Sequence, residues 1–282
     1  MKQLELASAM TTAVAQHKQD GKRVGFVPTM GALHQGHLSL IQKAKEVCDI
    51  VVVSIFVNPT QFNESADFKA YPRTIEEDLT LLVTEEVHYV FTPTVNEVYP
   101  DNENNNTNYN FGEIATVMEG EHRPGHFDGV AMVVKRLFEI VQPDIAFFGE
   151  KDFQQLAIIR SLVHQLNLPV KVVGCSIKRE ANGLAMSSRN NRLSKTQREK
   201  AKVIHESLQL AKSLVSSNSV CEVLLKAKEN LMNESELALE YVTIADAETL
   251  QEISSWSEAK SVGMFVAARF GEVRLIDNMI LI

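Results

Sequence analysis

Cysteine is scarce in this chain, because only Cys48, Cys175 and Cys221 among its 282 residues carry thiols. Their odd number and wide spacing exclude a disulfide framework and a paired zinc motif, and they are typical of a protein of the reducing cytosol. Long apolar runs are also missing, and stretches such as residues 51–53 and 55–57 are far shorter than the ~20 residues of a membrane helix. The first residues lack the basic and then apolar order of a signal peptide. We therefore expect a cytoplasmic protein that does not bind membranes.

Net positive charge is absent as well. Acidic residues number 36 and basic residues 28, which gives a formal net charge of −8. Such a surface argues against nucleic acid and anionic membranes as partners, although an acidic protein can still hold a small basic pocket. The apolar share of 45% and the charged share of 23% are ordinary for a globular protein and exclude collagen-like, low-complexity and disordered chains. The length predicts two domains.

The first 175 residues alternate between apolar runs and amphipathic stretches. The apolar runs predict strands at residues 23–28, 49–57, 87–91, 145–148 and 170–173. The stretches between them predict helices at residues 37–48, 74–85, 127–141 and 153–166, with Thr74 and Glu77 as a capping box. A polar, Asn-rich surface loop is expected at residues 101–110. The alternation indicates an α/β fold with a doubly wound (Rossmann-like) parallel sheet, whose ligands bind at the carboxyl ends of the strands.

The pattern changes near Ser176, and residues 176–282 are predicted to form a smaller α/β C-terminal domain. One helix begins near Ser194, whose side chain can cap it, and another covers residues 221–232. Strands are expected at residues 239–245, 261–269 and 272–278. Residues 1–175 would then form the Rossmann-like domain.

The strongest local motif, Pro28 to His37 (PTMGALHQGH), lies where the first of these strands passes into a helix. Gly31 and Gly36 let the backbone approach a ligand closely, and the free N–H groups of the helix N-terminus suit a phosphate. His34 and His37 share one helix face, where two imidazoles can donate hydrogen bonds to phosphate oxygens that gain charge. A pair of surface histidines or a metal-binding pair would have the same spacing, but few Cys, Asp or Glu residues stand nearby for a metal.

Two further motifs follow predicted strands. Gly149 to Asp152 (GEKD) places Lys151 where a cation suits a phosphate, and Gln155 on the next helix offers an amide to a polar substrate. Asn58 to Phe62 (NPTQF) offers two uncharged amides, which suit hydroxyl and carboxylate groups. A capped helix with a solvated lysine, and ordinary Asn-Pro turn chemistry, explain both motifs without any ligand.

Residues 178–192 (KREANGLAMSSRNNR) mix basic residues with two serines between the predicted domains. A mobile loop of this composition can close over phosphates and become ordered when ATP binds, and a flexible basic linker is the alternative.

The cluster Glu121 to His126 (EHRPGH) contains two histidines that can bind metal, but no third ligand is evident, which favours a charged loop near the site. The familiar phosphate fingerprints are missing. There is no G-x-G-x-x-G, and Gly120 to Gly125 is followed by His126 instead of the lysine of a Walker A loop. No cysteine has the neighbouring residues of a thiol nucleophile.

Five segments, PTMGALHQGH, FVNPTQF, EGEHRPGHFDGV, FGEKDFQQL and GLAMSSRN, occur in this order and closely resemble the pantothenate synthetase (pantoate–β-alanine ligase) family. The resemblance covers essentially the whole chain. More distantly, the histidine motif and the MSSRN segment are similar to the nucleotide-binding signatures of class I aminoacyl-tRNA synthetases. The resemblance implies a sheet of the class I nucleotidylyl-transferase type, a C-terminal lid domain and a homodimer.

The activity implied by the resemblance is a two-step, ATP-dependent ligation. ATP and pantoate give pantoyl adenylate and pyrophosphate, and the amine of β-alanine then attacks the acyl carbon to give pantothenate and AMP. AMP supplies the good leaving group that a carboxylate lacks. Mg²⁺ is expected with ATP, and its ligands are not assigned.

The resemblance also implies roles for the residues at matching positions. The catalytic residues would be His34, His37 and Lys151, with His37 as a proton donor. Gln61 and Gln155 would bind pantoate, and Gln61 would also lie near β-alanine. The ATP-binding residues would be Met30, Gly31, Ala32, Leu33, His34, Gln35, Gly36, His37, Gly149, Glu150, Lys151, Asp152, Lys178, Met186, Ser187, Ser188 and Arg189. Lys178 departs from the small aliphatic residue usual at its position near the adenine, a change that bears on side-chain packing more than on backbone contacts.

Two other functions match part of the pattern. A nucleotidyltransferase acting on a phosphate compound would favour Arg or Lys where this chain has Gln61 and Gln155. A regulatory nucleotide-binding module would tolerate the loss of His34, His37 or Lys151, all of which are present. The residues therefore favour the ligase.

Overall fold

The structure is a computed structural model that describes residues 1–62, 65–100 and 109–282, without the side chains of residues 65 and 66. The Asn-rich loop predicted at residues 101–110 lies outside these ranges except for its last two residues. The chain divides into two compact units. The first unit comprises Met1–Phe111, Glu119–Glu150 and Gln155–Ser176, and the second comprises Gly112–Met118, Lys151–Gln154 and Ile177–Ile282.

A six-stranded sheet forms the centre of the first unit, with the order β1-β4-β3-β2-β5-β6 and parallel pairing between neighbours. The strands are β1 (Lys2–Leu4), β2 (Val24–Thr29), β3 (Ile50–Ile55), β4 (Tyr89–Phe91), β5 (Ile145–Gly149) and β6 (Lys171–Cys175). The sequential order of the strands reverses at β2, between β3 on one side and β5 on the other. In a doubly wound sheet the ligand crevice lies outside the carboxyl ends of the strands at such a point. The predicted fold class is confirmed.

Helices cover both faces of this sheet. They are α1 (Ala7–Gln19), α2 (Gln35–Val47), α3 (Ser65–Ala70), α4 (Ile75–Thr84), α5 (Val95–Val98), α6 (Glu119–His122), α7 (His126–Val141) and α8 (Phe153–Gln165). Side chains alternate along β2, so Phe26 packs its ring against Phe138 of α7, whereas Val27 lies in a buried cluster with Leu38 and Ile41 of α2. The sheet is therefore buried on both sides, as parallel sheets are.

The second unit contains a three-stranded antiparallel sheet in the order β7 (Leu237–Asp246), β8 (Val262–Phe270) and β9 (Val273–Ile280). Its longer helices are α9 (Lys195–Lys200), α10 (Lys202–Leu214) and α11 (Val220–Met232). Ser194 caps α9 as predicted, in a capping box with Gln197. Apolar side chains of α10, α11 and β8 share one core, which includes Leu208, Val223 and Val266. Across the described ranges, no helix combines the length and the apolar character that crossing a bilayer requires.

The capping box predicted for Thr74 and Glu77 is wrong. Thr74 stands at the N-cap of α4, but its side chain makes no capping hydrogen bond. Its hydroxyl Oγ1 lies 3.3 Å from Oδ2 of Asp78 instead. The hydroxyl of Thr74 therefore contacts the buried carboxylate of Asp78, one residue beyond Glu77, the expected partner.

Candidate active site

The turn between β2 and α2 contains the histidine motif in a strained backbone conformation. Gly31 and Ala32 have φ angles of +79° and +49°, in the left-handed region that costs an L-residue about 1–2 kcal/mol. A Cβ atom on Gly31 would lie 3.0 Å from both Asp78 Oδ2 and Ile55 Cγ2. The turn therefore requires glycine at position 31 and an external support for Ala32.

Asp78 of α4 provides that support, and its role was not predicted from the sequence. Its side chain is 1% exposed, and its two oxygens accept the backbone N–H of Ala32 at 2.9 Å and that of Leu33 at 2.7 Å. Hydrogen bonds to a carboxylate are roughly twice as strong as neutral ones. The one signal in the sequence is that Asp78 lies four residues before the buried Leu82, on the apolar face of the predicted helix.

The two histidines of the motif cap α2 together. Nδ1 of His34 accepts the N–H of Gly36 at 3.1 Å, and Nδ1 of His37 accepts the N–H of His34 at 3.3 Å, which completes a reciprocal capping box. Their ring centroids lie 4.1 Å apart. Because Nδ1 is the acceptor in both rings, each neutral imidazole has its proton on Nε2. The capping geometry thus selects the tautomer whose Nε2–H can donate to a phosphate oxygen.

The loop after β3 approaches the histidine turn through its glutamine. Nε2 of Gln61 donates to Sδ of Met30 at 2.8 Å, so two of the predicted substrate-binding residues are in contact. Asn58 is 1% exposed and holds the loop, since its Nδ2 donates to Gly129 O at 3.2 Å and its Oδ1 accepts the Tyr99 hydroxyl at 3.0 Å. Burial raises the pKa of Tyr99 to about 12, still further above neutral pH, so the hydroxyl is protonated and donates. Asn58 is therefore a structural residue of the loop.

Helix α7 packs directly against this loop. A Cβ atom at Gly129 would overlap the carbonyl oxygen of Thr60, so only glycine allows the approach. His126, at the start of α7, is 6% exposed, and its Nδ1 lies 2.8 Å from Gln61 O. Its Nε2 accepts from Arg123 at 3.0 Å, because a guanidinium can only donate. Nδ1 of a neutral His126 therefore donates to the carbonyl of Gln61.

The contacts of His126 give this histidine of the EHRPGH cluster a structural role. Arg123 also lies 3.4 Å from Glu119, which is 6% exposed, so the cluster forms a buried polar chain that ends on the Gln61 backbone. Within the described part of the chain, no group of three or more His, Cys, Asp or Glu side chains could hold a metal ion. His126 contacts the backbone of Gln61, and the expectation that this cluster lies near the active site stays a prediction.

The segment after β5 positions the predicted lysine. Glu150 to Asp152 form a single 3₁₀ turn, and the ammonium of Lys151 lies 3.7 Å from Asp152 Oδ1. Gln154 is 5% exposed, and its amide donates to Ile114 O and Val117 O at 2.8 Å each. Gln154 is therefore structural, and Gln155 is the half-buried glutamine of this turn.

The segment 178–192 has a definite local structure. Arg179 pairs with Ala185 in an antiparallel bridge, and the N–H of Met186 donates to Lys178 O at 2.9 Å. The Lys178 side chain is exposed. Ser187 caps the 3₁₀ turn Ser188–Arg192 by accepting the N–H of Arg189 at 3.3 Å. The ordering of this segment by ATP stays a prediction.

The two thiols of the first unit have low nucleophilic reactivity. Burial raises the pKa of Cys48 and that of Cys175 to about 11. At pH 8 a thiol with a pKa of about 11 is about 0.1% thiolate, and the thiolate is the nucleophile. The third thiol, Cys221, is exposed. The raised pKa values of Cys48 and Cys175 disfavour these two thiols as nucleophiles.

We expect iodoacetamide at pH 8 to modify Cys221 first, with Cys48 and Cys175 at least about tenfold slower because burial suppresses their thiolate forms. Peptide mass spectrometry over time measures the three rates. The same reaction in concentrated urea is the control, where the three thiols should react at similar rates. Alkylation of folded Cys48 or Cys175 as fast as Cys221 would contradict the raised pKa values.

The fold and these loops together define a class of protein. A doubly wound parallel sheet whose central strand is followed by a glycine turn and a helix N-terminus has the phosphate-binding architecture of nucleotide-binding proteins. A family model described as pantoate-beta-alanine ligase matches residues 2–280. The chain belongs to this family, whose enzymes condense pantoate with β-alanine in an ATP-dependent reaction through a pantoyl adenylate, and it is a ligase of this type.

Individual relatives agree with the family assignment. The pantothenate synthetase of Christiangramia forsetii is 49% identical over 270 residues, which cover 95% of each chain. The crystal structure of pantothenate synthetase from Thermus thermophilus is similar with a TM-score of 0.94 and 41% identity, over 100% of this chain and 99% of that one. The pantoate-beta-alanine ligase of Francisella tularensis, solved in complex with beta-gamma ATP and beta-alanine, has a TM-score of 0.82 and 36% identity, over 100% and 98%. The similarity therefore extends along the whole chain.

Proposed function

We propose that the histidine turn activates pantoate by stabilising negative charge on the phosphates of ATP. The observation that carries the proposal is the reciprocal capping of α2, in which His34 and His37 both use Nδ1 as an acceptor. Their Nε2–H groups are then donors for the oxygens that gain charge when the pantoate carboxylate attacks the α-phosphorus. The N–H groups of the helix N-terminus add a positive field.

Three segments bind ATP in this proposal. They are residues 30–37 (MGALHQGH), residues 149–152 (GEKD) and residues 186–189 (MSSR), together with Lys178 beside the adenine. Lys151 and Arg189 supply the cations that the triphosphate requires. In this proposal the main chain of Lys178 contacts the base, and its side chain is exposed. An ATP complex of the Francisella relative supports the choice of nucleotide.

Pantoate binds to the amides of Gln61 and Gln155, and β-alanine binds near Gln61. An amide both donates and accepts, which suits hydroxyl groups next to a carboxylate. Gln61 is supported by Met30, Asn58 and the backbone contact from His126, so its position is defined before a substrate arrives. A rigid position reduces the entropy that binding would otherwise cost.

Mg²⁺ enters with ATP. The described residues contain no group of three or more His, Cys, Asp or Glu that could hold a metal. This agrees with the usual coordination of Mg²⁺ by substrate phosphates and water, with few protein ligands. When bound, the ion would neutralise charge on the phosphates.

We further propose a cytoplasmic homodimer, on the basis of the family resemblance and the reduced thiols.

Pyrophosphate exchange tests the first half-reaction, the formation of pantoyl adenylate, on which the proposal depends. We expect label from radioactive pyrophosphate to enter ATP only when pantoate is present and β-alanine is omitted, because only the reversible first step is then running. Lactate in place of pantoate is the control acid and should give no exchange. A lack of exchange with pantoate would overturn the ligase mechanism, and exchange that requires a phosphorylated acceptor would support a nucleotidyltransferase instead.

A further inference from the structure

Two adjacent buried polar residues of β9 contact two separate segments of the second unit. Asp277 and Asn278 are 4% and 6% exposed, although they lie on an edge strand of the antiparallel sheet. Buried polar groups need partners, because an unpaired carboxylate or amide is costly in a protein interior. Their partners are Arg179 and Lys151. Lys151 belongs to a segment that the proposed function assigns to ATP, and Arg179 lies between Lys178 and residues 186–189, which have the same assignment.

Asp277 holds the base of the 178–192 segment. Its Oδ2 accepts from Nη1 of Arg179 at 2.5 Å and its Oδ1 accepts from Nη2 at 3.0 Å, which is a bidentate pair. The guanidinium of Arg179 also donates to Gly183 O at 3.1 Å, across the turn of the hairpin formed by residues 179–185. Asp277 therefore fixes both arms of that hairpin through one guanidinium.

The neighbouring residue Glu180 is held by a second pair. Its carboxylate accepts from Nε and Nη2 of Arg198 at 2.6 and 2.7 Å, and from Nδ2 of Asn190 at 2.7 Å. Nδ2 of Asn190 also donates to Ala185 O at 3.0 Å. These bonds define where Ser187 to Arg189 emerge from the hairpin. Arg179 and Asp277 connect this hairpin to β9.

Asn278 makes the second connection. Its Nδ2 donates to the main-chain oxygen of Lys151 at 2.9 Å. We propose that Asp277 and Asn278 are positioning residues for adenylate formation, which set Lys151 and the Ser187–Arg189 segment at a fixed spacing from one strand. The proposal rests on the ATP roles proposed above for these segments. Neither Asp277 nor Asn278 is proposed to touch a substrate.

The two half-reactions should depend on this spacing to different degrees. Adenylate formation develops charge on a triphosphate, so several cationic and N–H groups must be in place at once. A misplacement of 1 Å at an active site can cost about 10²-fold in rate. Pyrophosphate has left before β-alanine attacks, so the second step needs fewer of these groups.

The test uses the full chain with Asp277→Asn and, separately, Asn278→Ala. Pantoate-dependent pyrophosphate exchange measures the first step, and the reaction of supplied pantoyl adenylate with β-alanine measures the second. We expect each variant to slow the first step by about tenfold or more and the second step by less than about threefold. A loss of folded protein alone would lower both rates by the same factor.

Glu240→Gln is the matched control. Glu240 lies on β7 of the same sheet, and its carboxylate accepts from Nε of Arg269 at 2.6 Å and from Nε of Arg274 at 2.7 Å. This variant weakens a comparable ion-pair network of the same sheet that does not include Lys151 or Arg179. We expect it to lower the melting temperature without changing the ratio of the two half-reaction rates.

The ratio of the two half-reaction rates in the variants decides whether Asp277 and Asn278 are positioning residues. A normal rate ratio in Asn278→Ala, or the same ratio in all three variants, would overturn the positioning role. Should Asp277→Asn fail to fold, Asn278→Ala decides alone, since it removes one neutral donor and no charge. The ligase mechanism itself is judged on the wild-type chain. Exchange by the wild type together with normal variants would reject only the positioning role, and no exchange by the wild type would reject the mechanism.

Discussion

Replacement of His37 or Lys151 by alanine should lower kcat by about 10²-fold or more, as the loss of a transition-state donor does. The His37 variant would lose the Nε2–H that the capping bond to His34 selects. The Lys151 variant would lose the cation that we propose lies next to the phosphates of ATP. The measurement is steady-state turnover of pantoate, β-alanine and ATP, with protein concentration corrected for the folded fraction. Near-normal turnover of both variants would remove the assigned roles.

The capping function of His37 needs a separate control. Its Nδ1 supports the N-terminus of α2, and the loss of an N-terminal cap costs about 1 kcal/mol of stability. His37→Asn keeps an oxygen that can accept the N–H of His34 but has no Nε2–H. We expect it to be as inactive as His37→Ala while it restores part of the lost stability. Lys43→Ala changes an exposed ion pair of the same helix and should leave kcat unchanged.

Asp78→Ala should damage both stability and catalysis. It removes the two carboxylate oxygens that accept the N–H groups of Ala32 and Leu33, and a buried group left without its partner costs about 1–3 kcal/mol. We expect the free energy of unfolding to fall by about 3 kcal/mol and kcat to fall by about 10²-fold, because the histidine turn loses its support. Urea unfolding measures the first quantity and steady-state kinetics the second.

Two control variants distinguish the loss of the Asp78 hydrogen bonds from the loss of a negative charge on α4. Asp78→Asn keeps one accepting oxygen but turns an amide NH₂ towards the second backbone N–H, so we expect an intermediate loss. Glu76→Gln neutralises an exposed carboxylate in the same helical turn and should change neither quantity. An Asp78→Ala protein with normal kcat would show that the turn holds its shape without Asp78.

The local elements of the first unit were largely predictable because their apolar periodicity is strong. The strands at residues 23–28 and 145–148 appear at Val24–Thr29 and Ile145–Gly149, and the helix at 127–141 appears as His126–Val141. Helix α1 was missed, since Met10 and Val14 are its only buried residues and its sequence shows no broad apolar face. Strand β1 has three residues, too few for a periodicity to be recognised.

The supports of the proposed site were not predictable in the same way. The histidine motif, the glutamines and Lys151 are recognisable in the sequence because these residue types stand at strand ends. Asp78, Asp277 and Asn278 were not predicted. An acidic residue on a helix and an Asp-Asn pair on a strand are both common on protein surfaces. Apart from the place of Asp78 on the apolar face of its helix, only burial distinguishes these three residues.

Separation along the chain explains why some features were predictable from the sequence and others were not. The sequence by itself determined the alternating elements, the order of the motifs, the capping of α9 by Ser194 and the family to which they point. All of these depend on residues within about one helical turn of each other, or on motif order. The tertiary structure alone decided which polar groups hold the motifs. Ala32 and Asp78 are 46 residues apart, Arg179 and Asp277 98 apart, and Lys151 and Asn278 127 apart. Such pairs exist only after strand order and helix packing have removed their polar groups from water, where each must find a partner.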